Sequence, residues 1–228
     1  MKTLVTAFAL AISLLLTWAG NPPVARISIA NAVKSPSEIF HPYPGFGRVI
    51  STNGHDATVI VDGSASLNPN DEVLIYEAVY YDEGVAFNLA GPNYSGIFTF
   101  GGVRVGDTEN HRYALIVSGS GGESSVEFDF AAITPAEAPY YLLDDLGELE
   151  EQPHNIRFRY RPALTTALTS AAERLAQGHL IRGIRSLRHF QKLIRLQHRR
   201  LGAPVTAACL QFAETIIETA KIAPTPTP

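Results

Sequence analysis

The spacing of apolar residues changes once along this 228-residue chain, and that change dictates strands first and helices afterwards. Between Asn21 and about Phe130 the apolar residues come in short β-branched or alternating runs. Val24-Ala-Arg-Ile-Ser-Ile29 alternates. Ala57-Thr-Val-Ile-Val61 ends at the turn pair Asp62-Gly63, and Val73–Tyr81 is long, aromatic and closed by Gly84. Ile97–Phe100, Tyr113–Val117 and Val126–Phe130 follow, with Ser118-Gly119-Ser120-Gly121-Gly122 as a tight hairpin between the last two. About seven strands divided by frequent turn residues predict an antiparallel sandwich.

From about Thr165 the apolar recurrence lengthens to three and four residues. A first helix is expected from about Thr165 to Gln177, stopped by Gly178, and a second from about His179 to Leu201. Gly202 is placed to close the second in a left-handed conformation, and Pro204 to open the third. In the third, Val205, Ala208, Cys209, Phe212 and Ile216 form one apolar stripe, so Cys209 reads as a buried structural thiol. The fold class is a β + α multidomain protein: an Ig-like antiparallel β-sandwich over 21–132, then a small three-helix domain over 163–222. Residues 133–162 hold four prolines and the acidic run Asp144, Asp145, Glu148, Glu150 and Glu151, which favours an extended connector on which Tyr140–Leu143 is apolar enough to dock. The Pro/Thr tail, 223–228, cannot be helical.

The N-terminus narrows the compartment. Lys2, an apolar run from Leu4 to Leu16, and Thr17-Trp-Ala-Gly20 match a secretory signal peptide over 1–20. The run is shorter than the roughly 20 residues that span a bilayer, and no later stretch is long enough, so no transmembrane span is expected after cleavage. The protein is accordingly expected to be secreted, at the cell surface or periplasmic. With Cys209 the only cysteine, no internal disulfide can form, which fits a bacterial exported protein better than a small eukaryotic secreted domain. Residues 21–151 hold 5 Lys and Arg against 19 Asp and Glu, whereas 152–228 hold 12 against 3. So uneven a distribution marks a boundary and a basic end with a taste for anions.

Asn21-Pro-Pro-Val-Ala25, Val61-Asp-Gly-Ser-Ala-Ser-Leu-Asn-Pro-Asn-Asp71 and His111-Arg-Tyr-Ala-Leu-Ile-Val-Ser-Gly-Ser-Gly-Gly122 together resemble a polycystic-kidney-disease (PKD) domain. The central aromatic-Asp-Gly hallmark of that family is degraded here to Ala78-Val-Tyr-Tyr-Asp-Glu-Gly84. The resemblance implies an Ig-like extracellular spacer or binding module. The helical half resembles the FIMAH domain of bacterial exported proteins, through Ala167–Ser170, Gly178, Leu187, Phe190, Ile194, Gly202, Val205, Ala208, Leu210, Ala213, Ile216 and Ile217. It departs from that family at Gly202-Ala-Pro-Val205 and in its arginine content, and the family brings no catalytic residues with it.

On the second helix, Leu187, Phe190, Ile194 and Leu201 fall in a sector about 60° wide, while Arg182, Arg185, Arg188, Lys192, Arg195 and Arg199 fall in one about 140° wide, mostly opposite. A solvated face of a core helix explains the segregation but not the absence of acids from Gly178 to Val205. Three partners fit the six cations. One is an extracellular polyanion such as an acidic polysaccharide, a teichoic-type polymer or extracellular DNA. The others are an anionic membrane surface and a protein surface, either the acidic half of this chain or an envelope protein. Intracellular nucleic acid conflicts with the export signal.

Asn68, Asn70, Asp71 and Glu72 cluster hard oxygen donors in one turn, a candidate calcium site, although the same residues also supply ordinary turn chemistry. Catalytic patterns are missing. The seven histidines are scattered, Gly119-Ser120-Gly121 lacks the spacing of a hydrolase elbow, and Asp82 and Glu83 are neighbours that a strand sends to opposite faces. His189 reads as a residue at the margin of the apolar sector. The expectation is a non-catalytic accessory or adhesion protein, or alternatively a structural component of a cell-envelope assembly.

Overall fold

The computed structural model describes residues 20–40, 42, 45–82, 85–106, 112–151 and 156–223. The expected signal peptide, the Pro/Thr tail from Pro224, and His41, Glu83, Gly84, His111 and His154 lie outside the described residues. Among the described residues there are eight strands: β1 Ser28–Ile29, β2 Phe46–Ile50, β3 Asp56–Asp62, β4 Ile75–Asp82, β5 Val85–Asn93, β6 Ile97–Arg104, β7 Arg112–Gly119 and β8 Gly122–Ile133. Five helices follow: α1 Ala138–Glu151, α2 Arg161–Ala176, α3 Leu180–Leu196, α4 His198–Leu201 and α5 Ala203–Ile222. The chain is thus β-rich first and α-helical afterwards. One sheet has the strand order β1-β3-β6 and the other β2-β8-β7-β4-β5.

The backbone gathers into two compact units that do not follow the boundary expected at 132/133. Of the described residues, the first holds 20–28, 61–82, 85–98 and 112–129; the second holds 29–40, 42, 45–60, 99–106, 130–151 and 156–223. Charge is divided less sharply between these units than between the halves of the sequence. Among the described residues the first unit carries 2 basic and 8 acidic residues, the second 15 and 11, because acidic α1 belongs with the basic helices.

In the first unit β4 pairs antiparallel with β5 and β7, and β7 with β8. The Gly119↔Gly122 register leaves Ser120-Gly121 as the two-residue loop of the expected hairpin. Alternation decides which residues are buried: Val61, Ala78, Leu115 and Val117 are fully enclosed, with Phe98 and Phe128 nearly so. Tyr113 stacks on Phe128 at 5.3 Å and tilts against Tyr80 at 5.6 Å, so a row of aromatic rings crosses β4, β7 and β8.

The second unit corrects the expected connector. Residues 138–151 form a helix, not an extended tether, and Leu142, Leu146 and Leu149 are completely buried. Thr134 and Glu137 make a reciprocal cap: the Glu137 amide donates to Thr134 Oγ1 at 3.1 Å and the Thr134 amide to Glu137 Oε2 at 2.7 Å. Prolines 135 and 139 sit in the turns that open the helix, where a missing N–H costs least. The three-helix expectation therefore becomes four long helices and the single turn of α4. One core joins Leu142 and Leu146 to Leu164 and Leu168 on α2, Leu187, Phe190 and Ile194 on α3, Phe212 and Ile216 on α5, and Val33, Ile50 and Ile133 from the strand-bearing part of this unit.

Helix ends match the sequence in kind. His179 N donates to Arg174 O at 2.7 Å and Gly178 N to Leu175 O at 3.0 Å, with Gly178 at φ +73°, so α2 closes in a Schellman turn. The single helix expected over 179–201 breaks at Gln197, whose buried side chain accepts the Arg159 amide at 2.7 Å and donates to Leu193 O at 3.2 Å. Gly202 has the expected positive φ, +80°, but its ψ of 163° is extended, not left-handed helical; only glycine visits that region readily. Pro204 lies in the first turn of α5, and Cys209 is fully buried, as expected.

Candidate anion-binding face

Arg182, Arg185, Arg188, Lys192 and Arg195 on α3 and Arg199 on α4 are all exposed, while Leu187, Phe190 and Ile194 face the core at 0% exposure. Among the described residues none of the six cations forms a salt bridge. Arg188 feels Glu218 on α5 at longer range: that carboxyl is held below its usual range first by a hydrogen bond from Lys221, with Arg188 a lesser contributor. No carboxylate occurs between Glu173 and Glu214. Ile181 and Leu196, 67% and 66% exposed, lie in the same angular sector as the cations.

Beside this face, α2 and α3 enclose a groove of about 510 Å³ lined by Thr166, Ser170 and Arg174 from α2 and by Arg185, Ser186 and His189 from α3. The α2 residues recur every four positions and so share one side of the helix. The helices approach closely because Gly183 has no side chain: a Cβ there would come within 2.7 Å of Leu175 Cγ. Arg174 Nη1 donates to Ser186 Oγ at 2.8 Å, and Ser186 Oγ donates to Arg182 O at 3.3 Å. His189 is exposed in this groove, not at the margin of the apolar sector. Arg174 and Ser170 were not legible as site residues, because only the pairing of α2 with α3 brings them to Arg185.

Three of the four residues of the candidate calcium turn, Asn68, Asn70 and Glu72, are arranged as a brace. The Glu72 carboxylate accepts the Ser120 amide at 2.8 and 2.9 Å and Asn70 Nδ2 at 3.2 Å. Those bonds, from the Ser120 side chain and backbone and then from Asn70, hold the Glu72 carboxyl below its ordinary range. Asn70 Nδ2 also donates to Asn21 O at 2.8 Å, and Asn68 Nδ2 donates to the Glu72 carbonyl. Asp71 is exposed at φ +52°. The Asn68 and Asn70 amide nitrogens are engaged with Glu72, while Asn68 Oδ1 is buried without a hydrogen-bond partner. Among the described residues no three His, Cys, Asp or Glu side chains are grouped to hold a metal.

Among the described residues two further ion pairs lie within the second unit. Arg161 Nε lies 3.5 Å from Glu150 and joins α2 to α1. Arg48 Nη1 lies 3.4 Å from Asp145 Oδ1, with its guanidinium 4.7 Å from the Tyr141 ring. Asp145 is 1% exposed, and burial pushes its carboxyl up to about 6 against the opposing pull of the Ser35 hydroxyl and Arg48. Among the described residues no helix is long and apolar enough to cross a membrane. No protein-family model matches the chain, and no curated protein matches it.

Proposed function

We propose that this chain is a non-catalytic exported accessory or adhesion protein that docks through its basic helical face onto an extracellular polyanion. In this reading the strand-rich part is a PKD-like, Ig-like sandwich serving as spacer or binding module, and the helices are a FIMAH-like domain. Export rests on the N-terminal sequence pattern. One observation carries the docking: six exposed cationic side chains share one side of α3 and α4 without salt-bridge partners among the described residues. Arginine-rich surfaces of this kind bind polyanions by displacing condensed counterions, so affinity falls steeply as salt rises.

Retention of the full chain on heparin or DNA columns tests the reading. Elution above physiological salt is expected, moving to much lower salt when Arg182, Arg185, Arg188 and Arg195 are all changed to Gln. Elution of the unaltered chain at or below physiological salt overturns it.

A second reading, a structural component of a cell-envelope assembly, is favoured by Ile181 and Leu196, whose exposed apolar surface lies among the cations. A partner burying both would gain about 25 cal/mol per Å² of apolar area covered. Capture of a stoichiometric protein partner that resists high salt and is lost with I181S and L196S supports this second reading over the first.

A further inference from the structure

The groove between α2 and α3 differs in construction from the open cationic face it adjoins. Arg174 is pinned: Ser186, itself 7% exposed, accepts its Nη1 at 2.8 Å and anchors in turn to the Arg182 carbonyl. A guanidinium presents five N–H donors in a rigid plane, so one bond to Ser186 fixes the group and leaves most of its donors for another acceptor. Arg185 brings a second guanidinium to the same groove, His189 an imidazole, and Ser170 and Thr166 hydroxyls. No carboxylate lines it; Glu173, three residues beyond Ser170, is exposed and is not one of the lining residues.

We propose that this groove binds a phosphate monoester. A phosphate monoester carries a charge of about −1.5 to −2 at neutral pH and three acceptor oxygens, which two permanent guanidinium charges match. A sulfate ester or a carboxylate brings a single negative charge and leaves the groove with excess positive charge. The volume exceeds that of a phosphate group alone and falls in the roughly 300–1,000 Å³ range of small-molecule sites, so the sugar or glycerol bearing the ester is also accommodated. Ser170 and Thr166 supply hydroxyls for that carrier. The inference goes beyond the docking reading: it adds, beside the polyanion face, a separate site for a terminal phosphate group.

The test titrates the full chain with glycerol 3-phosphate, methyl sulfate, acetate and glycerol at constant ionic strength, following heat and the His189 ring resonances. Glycerol 3-phosphate is expected to bind about 10-fold or more tightly than methyl sulfate or acetate, with glycerol inert. R174Q and R185Q should each weaken it by about 10-fold, and R174K by nearly as much, since a lysine lacks the planar fork. R200Q, outside both the groove and the six-cation face, should leave it unchanged, and unaltered far-UV dichroism establishes that the variants are folded. Equal binding of methyl sulfate, or full binding by both R174Q and R185Q, overturns the proposal. Glycerol 3-phosphate binding in a chain that polyanion columns fail to retain would refute the docking and spare the groove; retention without glycerol 3-phosphate binding does the reverse.

Discussion

Arg48 on β2 and Asp145 on α1, 97 residues apart in sequence, meet at 3.4 Å beneath the Tyr141 ring. The carboxylate is almost wholly enclosed, its Oδ2 has no hydrogen-bond partner, and the arginine is about one-fifth exposed. The attraction therefore only partly offsets the loss of hydration, and Asp145 takes up a proton near pH 6. Glu38, Glu148 and Lys34 complete the charged surroundings, and the Glu38 carboxyl is likewise raised, first by burial and then by Asp145.

A group whose folded-state pKa is raised stabilises the protein fully below its unfolded value, and the benefit fades as pH climbs through the folded value. Asp145 should therefore make the fold more stable at pH 4 than at pH 7 by roughly 2–3 kcal/mol, the change falling between about 4 and 6. Urea midpoints across that range measure it. D145N should flatten the profile, leaving the smaller slope from Glu38. An unchanged slope in D145N would show that other carboxyls are responsible.

Cys209 is sealed in the core, and burial, followed by the Asp145 charge, pushes its thiol up to about 12. Thiolate is the reactive form, so a disulfide reagent at pH 8 should label the native protein only on the timescale of unfolding and label it at once in denaturant. Rapid native labelling would place the thiol outside the apolar stripe of α5. C209A should cost about 1–2 kcal/mol for the small cavity it leaves.

Gly183 predicts a steric effect opposite to helix propensity. Alanine normally stabilises a helix interior by about 1 kcal/mol over glycine. Here the added methyl would meet Leu175 Cγ at 2.7 Å and Cδ2 at 2.8 Å, contacts too short to keep. G183A should therefore lower stability by roughly 1–3 kcal/mol and displace α2 from α3. Thermal melts read the first effect, and weaker binding in the α2/α3 groove the second.

Glu72 ties the residues before β4 to the β7–β8 hairpin. Its lowered carboxyl pKa gives a contribution present above pH 4.5 and lost as pH falls through the folded value. Amide exchange at Ser120 should quicken on acidification below that point, and at neutral pH in E72A. Because its oxygens already accept two N–H groups, millimolar calcium should leave the melting temperature unchanged. A calcium-dependent rise would instead support the cation reading of Asn68, Asn70, Asp71 and Glu72.

Much of this was legible in the sequence where local pattern and burial agree. β3, β4, β6, β7 and β8 all occur where β-branched and aromatic runs lie between turn residues, and α2, α3 and α5 where apolar residues recur at helical spacing. β2 and β5 escaped because glycine and proline interrupt them. Gly47 is required where Ile29 lies against the strand, and Gly91-Pro92 would ordinarily end one. α1 was hidden by prolines and like charges, although Thr134-Pro-Ala-Glu137 is a capping box and Leu142, Leu146 and Leu149 follow helical spacing. The cationic face could be read from a single helix. The groove could not, since Arg174 and His189 acquire meaning only once two helices lie side by side.

The enclosure of α1 has a bearing on how this protein can be divided. A cut at the change of charge sign near residue 152 would strip away Leu142, Leu146 and Leu149 and leave the remaining helices with an apolar flank open to water. Such a fragment should clump or stay half-folded, whatever its pull on anions. The basic end is thus not a portable cassette: whoever grafts it onto another scaffold must carry the acidic helix along, and Arg48 with it.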